Sequence, residues 1–270
     1  MRFSLKLCIF CRLPFSPSRP STQEHIWSKW MRELLPRGPG TQRISRFNDG
    51  EAAELLESRE YSGVLQNKFK PRVVCRDCNT GWMSALEDAT KPILHPLIRE
   101  EARHLTRDDQ KTLATWACLK NMVAEFSDSK TRATAPADFD RMYKEHLPPE
   151  RATVWLGQHT GADWTMRYRH HGMRIIHASV RPSDPERDPP MNGQVTTFTA
   201  GPVVLVLLTL PEGFLYGAPI ANGRLATRIR QIYPAPSPFD WPLGRTLTDH
   251  DVFELGDGMA SMFRRLVEGR

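Results

Sequence analysis

CRDCNTGWMSALE, residues 75–87, sets two cysteines three apart, an asparagine directly after the second, and then a tryptophan-bearing stretch that reads as a helix. The fold of the first third of the chain turns on whether this segment is half of a larger motif. The other half is CIFC, residues 8–11. A C-x-x-C pair makes a tight turn that aims two thiolates at one point, and two such turns complete a tetrahedral four-thiolate site for Zn²⁺. Cys8, Cys11, Cys75 and Cys78 are therefore the expected ligands of a structural zinc. The long gap between Cys11 and Cys75 means the ion would staple distant segments together. Four of the five cysteines are used this way, which fits a metal site in a reducing, cytoplasmic setting better than disulfides. The fifth, Cys118, falls in a helical pattern and reads as a core thiol.

Between the two pairs lies STQEHIWSKW, residues 21–30. Glu24 and His25 are adjacent in a segment that reads as extended, where neighbouring side chains point to opposite faces. Two metal ligands there would need a bend; a metal ligand beside a general base would not. His25 is the chemically versatile group, because imidazole titrates near neutrality. Asn79 offers an amide oxygen to a hard cation such as Mg²⁺. On its own it reads equally well as an asparagine suited to the turn of the knuckle.

A C-x-x-C pair, an acid–His pair and then C-x-x-C-N followed by a helix resembles the HNH (ββα-metal, His-Me finger) endonuclease superfamily. Within it, the chain resembles the zinc-containing branch typified by phage recombination endonuclease VII. The resemblance covers about residues 5–90. It implies that His25 is the general base that activates water, and that Glu24 and Asn79 hold one catalytic divalent cation, Mg²⁺ or Mn²⁺. It also implies a DNA phosphodiester hydrolase that leaves a 5′-phosphate, with a homodimer as the form for double-strand cuts; RNA stays open as a partner beside DNA. The helix from about Gly81 would lie against the minor groove. Two further residues follow by position: Asn67, which would orient His25, and Glu87, which would reach the cation unless it forms a salt bridge instead. Position 24 departs from the usual family pattern, which has Asp there, although Glu occurs at this place in some HNH proteins. The segment from about 31 to 69 would be an insertion, with Arg32, Arg37, Arg43, Arg46, Lys68, Lys70 and Arg72 available to phosphates or simply to solvent.

The wider pattern predicts α+β: a zinc-stapled ββα-metal nuclease domain over 1–100, then a helix and a β-rich domain over 101–270. A short helical pattern covers GEAAELLESRE, residues 50–60. The helix from Gly81 should be interrupted by Pro92 and Pro96. The strongest helix, over 106–128, has Thr106 as its N-cap and Leu113, Trp116, Ala117, Met122 and Val123 on its apolar face, with Lys120 as the exposed exception. Residues 151–233 carry strand patterns, with RYRHHG, residues 167–172, read as a polar cluster at a strand end. VVLVLLTL, residues 203–210, reads as a buried strand, being too short to span a membrane. The polar, proline-rich stretch 181–193 reads as an exposed loop, and the chain should close on a short helix.

Charge supports a polyanionic partner for the N-terminal part. Residues 1–100 hold 16 Lys and Arg against 11 Asp and Glu, whereas the remainder holds 21 against 20. Two readings without catalysis stay open at this point: a zinc-stapled nucleic-acid-binding module, and a regulatory protein whose partner docks on the C-terminal domain.

Overall fold

A computed structural model describes residues 6–35, 40–48, 54–63, 70–128, 130–163, 166–174, 191–211 and 223–256. The chain is α+β. Near its start, β1 (Ser21–Thr22) pairs antiparallel with β4 (Val74–Cys75), with Ser21 opposite Cys75 and Thr22 opposite Val74. The ladder runs directly into α1 (Arg76–Thr80) and then α2 (Trp82–Ile98). Gly81 makes the break between the two helices. Its backbone passes so close to the Asp77 carbonyl that a Cβ would sit 2.6 Å from the oxygen, so only glycine allows this turn.

Pro92 and Pro96 do not interrupt α2, contrary to the sequence expectation; both lie inside it. Each proline removes one donor from the helical ladder. Pro96 would have bonded the Pro92 carbonyl, and Arg103 Nη1 donates to that oxygen instead, at 2.8 Å. The buried face of the same turns, Ile93, Leu94, Leu97 and Ile98, holds the helix in place from the other side.

α3 (Arg107–Ala124) begins as expected. Thr106 Oγ1 accepts from Asp109 N at 3.1 Å, and Thr106 N donates to Asp109 Oδ2 at 3.1 Å, which closes a reciprocal cap. From Leu113 to Ala124 every residue is buried, so the helix runs through the centre of the molecule rather than along its surface. Lys120 is accordingly not exposed: it is 3% accessible. A 3₁₀ turn (Glu125–Ser127) follows, and then α4 (Pro136–Glu145).

Among the described residues, the main sheet has seven strands: β2 (Gly40–Asn48), β3 (Glu54–Gly63), β6 (Ala152–Gln158), β7 (Arg167–Arg174), β8 (Gly193–Ala200), β9 (Val203–Thr209) and β10 (Ile229–Tyr233). Their order is β10-β6-β9-β8-β7-β2-β3. All pairs are antiparallel except β2 with β7. The helical pattern over 50–60 is overturned from Glu54 onward, where the chain forms β3. Its register places Arg43 across from Glu60 and Arg46 across from Glu57. Long-range pairing thus overrides a weak local preference. The segment between the cysteine pairs is therefore joined, through β2, to the sheet built by residues 152–233. A smaller ladder pairs β5 (Arg103–Leu105) with β11 (Phe239–Trp241).

β9 shows how the layers meet. Val203, Leu205 and Leu207 pack into the core that holds α3, while Val204, Val206 and Leu208 pack into a second core with Val252 and Leu255 of α5 (Asp249–Gly256). A strand covered on both faces has no need of polar residues, which is why this run is continuously apolar. The turn into β9 uses Gly201 at a φ of +60°, the conformation that a two-residue hairpin loop requires at its first position. RYRHHG also departs from expectation. It lies within β7, with His170 and His171 buried. His170 bonds Thr196 Oγ1 and the Thr131 carbonyl, and His171 bonds the Gly256 carbonyl. Of the proline-rich stretch, residues 181–190 lie outside the described residues. The core that contains α3 also takes in Cys8, Phe10, Trp27, Met83 and Leu94, so the N-terminal segment and the sheet share one apolar interior.

Candidate metal centre and the adjoining cleft

The two knuckles come together. One sulfur from each of Cys8, Cys11, Cys75 and Cys78 lies within 4.8 Å of all the others, and none of the four is in a disulfide. Four thiolates around Zn²⁺ at a bond length of about 2.3 Å would stand about 3.8 Å apart. Cys11 Sγ and Cys75 Sγ are 3.7 Å apart. Backbone donors turn toward the cluster: Cys75 N donates to Cys8 Sγ at 3.3 Å, and Cys78 N to Cys75 Sγ at 3.5 Å. These bonds favour negative sulfur. A hydrogen bond from Cys78 outweighs burial and, with the N–H groups of Cys75, Phe10 and Cys11, draws the Cys8 thiol down to about 4. Cys78, the donor of that bond, is pushed up. The donor set and the spacing fit a metal ion such as zinc. Cys118 lies elsewhere, enclosed in α3, where burial raises its thiol.

Beside the cluster opens a cleft of about 250 Å³. Glu24, His25 and Asn79 all line it, together with Trp30, Glu87 and Lys120. The geometry follows from the knuckles. Asn79 sits one residue past Cys78 in α1, and the β1–β4 ladder brings Thr22 and Gln23 alongside it. Asn79 Nδ2 donates to Thr22 Oγ1 at 2.9 Å and approaches the Gln23 carbonyl at 3.4 Å. Thr22 Oγ1 donates its own proton to the Val74 carbonyl at 3.2 Å, so toward Asn79 it can only accept. The amide is thereby oriented, and Oδ1 is the atom without a partner among the described residues.

Glu24 is buried, at 8% accessible. Its Oε1 accepts from Lys120 Nζ at 2.5 Å. The same ammonium donates to the His25 carbonyl at 2.9 Å and lies 3.0 Å from Glu87 Oε2. The ammonium thus makes two hydrogen bonds and a second ion pair. Burial disfavours the charge on Lys120, but Glu24 and Glu87 outweigh it and raise its pKa. Burial likewise opposes the charge on Glu87. Lys120 and the indole N–H groups of Trp116 and Trp30 prevail and hold this carboxyl at about 2. Those indole bonds are 2.9 Å to Oε2 and 2.7 Å to Oε1.

The His25 ring is half-buried. Burial first, then the positive charges of Lys70, Lys29, Arg32 and Lys120, lower its pKa to about 4. The ring is therefore neutral at pH 7. Its Nε2 is enclosed with no hydrogen-bond partner among the described residues.

The chain matches no protein-family model, no curated protein and no solved structure.

The cleft gathers Glu24, His25, Asn79 and Glu87 of the residues singled out from sequence, and Arg32 and Lys70 lie close enough to act on the imidazole. Asn67, Arg37 and Lys68 lie outside the described residues. Arg43 and Arg46 lie on β2, in the main sheet and not in the β1–β4 ladder, and Arg72 is exposed. The residue that sequence reading missed is Lys120, together with the two tryptophans that bond Glu87. The available signal was a single charged residue in a stretch of helix, residues 113–124, that holds no other charge, one turn from Trp116. A charge in that position must either escape to solvent or find a buried partner. Among the described residues, no helix is long and apolar enough to cross a membrane.

Proposed function

We propose that the chain is a metal-dependent endonuclease of the HNH type, built on a structural four-cysteine zinc site and acting on DNA phosphodiesters. The observation that carries this reading is the convergence of Glu24, His25 and Asn79 on one cleft beside the cysteine cluster, with a two-stranded antiparallel ladder leading straight into a helix. In this reading zinc holds the two knuckles, and so fixes Asn79 relative to the segment carrying Glu24 and His25. A divalent cation held by Glu24 and Asn79 Oδ1 would offset negative charge developing on the scissile phosphate and its leaving 3′-oxygen. His25, neutral at pH 7, takes a proton from the attacking water. With Nε2 enclosed, Nδ1 is the nitrogen that serves. Lys29, Arg32 and Lys70 surround the imidazole with positive charge. That field attracts a phosphate, and the phosphate in turn restores basicity to the ring.

A second reading is favoured by one observation. Lys120 already counters Glu24 and Glu87, so the cleft has much of its negative charge balanced without an added ion. A zinc-stapled nucleic-acid-binding module without catalysis would have this property. Cleavage of supercoiled plasmid by zinc-loaded protein, with Mg²⁺, Mn²⁺ or EDTA, separates the two. The nuclease reading expects nicked or linear product with either added cation and none with EDTA. Retention of plasmid with no cleavage under any condition would support the binding module.

A further inference from the structure

Lys120 has a place in the cleft that neither the cysteine motif nor the acid–His pair accounts for. A lysine buried to 3% in the middle of an apolar helix is costly unless its charge is fully matched. Here it is matched by two carboxylates and a carbonyl, and all three partners belong to the cleft's residues: hydrogen bonds to Glu24 Oε1 and the His25 carbonyl, and an ion pair with Glu87 Oε2. Glu87 is itself fixed by two indole N–H groups, from Trp30 and Trp116. The ammonium is therefore held from one side by a rigid, aromatic-bonded carboxylate. On the other side it holds the backbone of His25 and one oxygen of Glu24.

We propose that Lys120 is a positioning residue for Glu24 and the built-in counter-ion of the cleft: it engages one carboxylate oxygen and leaves only Oε2 to bind a divalent cation. The inference rests on the nuclease reading and deepens it. It also accounts for glutamate at position 24. The extra methylene lengthens the side chain, and the bond to Lys120 ties the longer arm to α3. An arm so anchored presents one oxygen from a fixed position. The positive charge next to it lowers the attraction of the site for a further cation. Divalent binding is accordingly weaker than a site with Glu24, Glu87 and Asn79 alone would give, and it is monodentate at Glu24.

The test is Mn²⁺ titration of zinc-loaded full-length protein, read by calorimetry and by the electron paramagnetic resonance signal of free Mn²⁺. The parent is compared with Lys120→Met and with the charge-balanced Lys120→Met/Glu87→Gln. The double variant removes a buried cation and a buried anion together, which keeps the experiment decisive where the single variant does not fold. Folded Lys120→Met is expected to bind Mn²⁺ about tenfold or more tightly than the parent, because both oxygens of Glu24 are then open and a repelling charge has gone; the double variant is expected to bind more tightly than the parent by a smaller factor, because the second oxygen of Glu24 opens while the two charges removed cancel. Plasmid cleavage is expected to fall in the same variants, since the carboxylate is no longer held in place. Unchanged or weaker Mn²⁺ binding in variants with full zinc content and a cooperative melt would overturn the inference and leave the nuclease reading standing. A parent that binds no Mn²⁺, or whose binding survives Glu24→Gln, would overturn both.

Discussion

The cysteine cluster and the cleft beside it are built on the same two short segments, yet their interiors are organised in opposite ways. The cluster is self-contained. Four sulfurs face one another, their backbone donors come from the same turns, and no other part of the chain is needed to complete them. The cleft is completed from a distance. Glu24 comes from the segment that follows β1, Asn79 and Glu87 from α1 and α2, and Lys120 from a central helix that begins well beyond both. A motif made of local turns can be stable wherever metal is present. A set of charges buried against a core exists only when the whole fold has formed. The cluster should therefore govern whether the N-terminal region folds, and the cleft what it does.

The largest effect that would break this contrast is expected at the cluster. Cys8→Ser should abolish stoichiometric zinc by mass spectrometry and lower the melting temperature by more than ~10 °C, with the cleft lost as well. Glu24→Gln should act differently. It leaves Lys120 buried with one carboxylate partner in place of two, at a cost of roughly 1–3 kcal/mol in urea denaturation, with zinc content unchanged. Loss of zinc in that variant would show that the two regions are not separable.

Acid sharpens the same contrast. The folded-state pKa of Glu87 is depressed to about 2 from an ordinary 4.5. The unfolded chain therefore binds this proton first as the pH falls, and the stabilisation is complete above 4.5 and lost toward 2. Melting temperature followed from pH 5 to pH 2 should fall less steeply in Glu87→Gln than in the parent. The smallest effect is at the start of α3, away from both regions. Thr106→Ala removes the reciprocal cap with Asp109 and should cost about 1 kcal/mol, with no change in zinc content or cation binding.

How much of this was readable in advance follows the same division. The four cysteines were legible because the chemistry of a knuckle is written in a spacing of three residues. The cap at Thr106 and the doubly buried strand at 203–209 were legible for the same reason: each is decided by neighbours in sequence. Pro92 and Pro96 misled because the remedy for the missing donor at Pro96 lies at Arg103, on the next strand. The run at 50–60 misled because its partners in β2, and the parallel junction to β7, are set by topology. Lys120 was read as exposed because a helical period alone does not say that a helix is covered on all sides. Its partners are 96 and 33 residues away in the chain, and nothing local announces them.

The most direct test of the central claim is single-turnover cleavage of plasmid DNA by His25→Ala beside the parent, at equal zinc content and equal DNA affinity. His25 lines the cleft, is not one of the four cysteine ligands, and bonds Lys120 through its backbone carbonyl, which the substitution keeps, so the variant should fold and bind normally. The account predicts a fall in the cleavage rate of about 10²-fold or more, with binding unaltered. Equal cleavage by both proteins would contradict it.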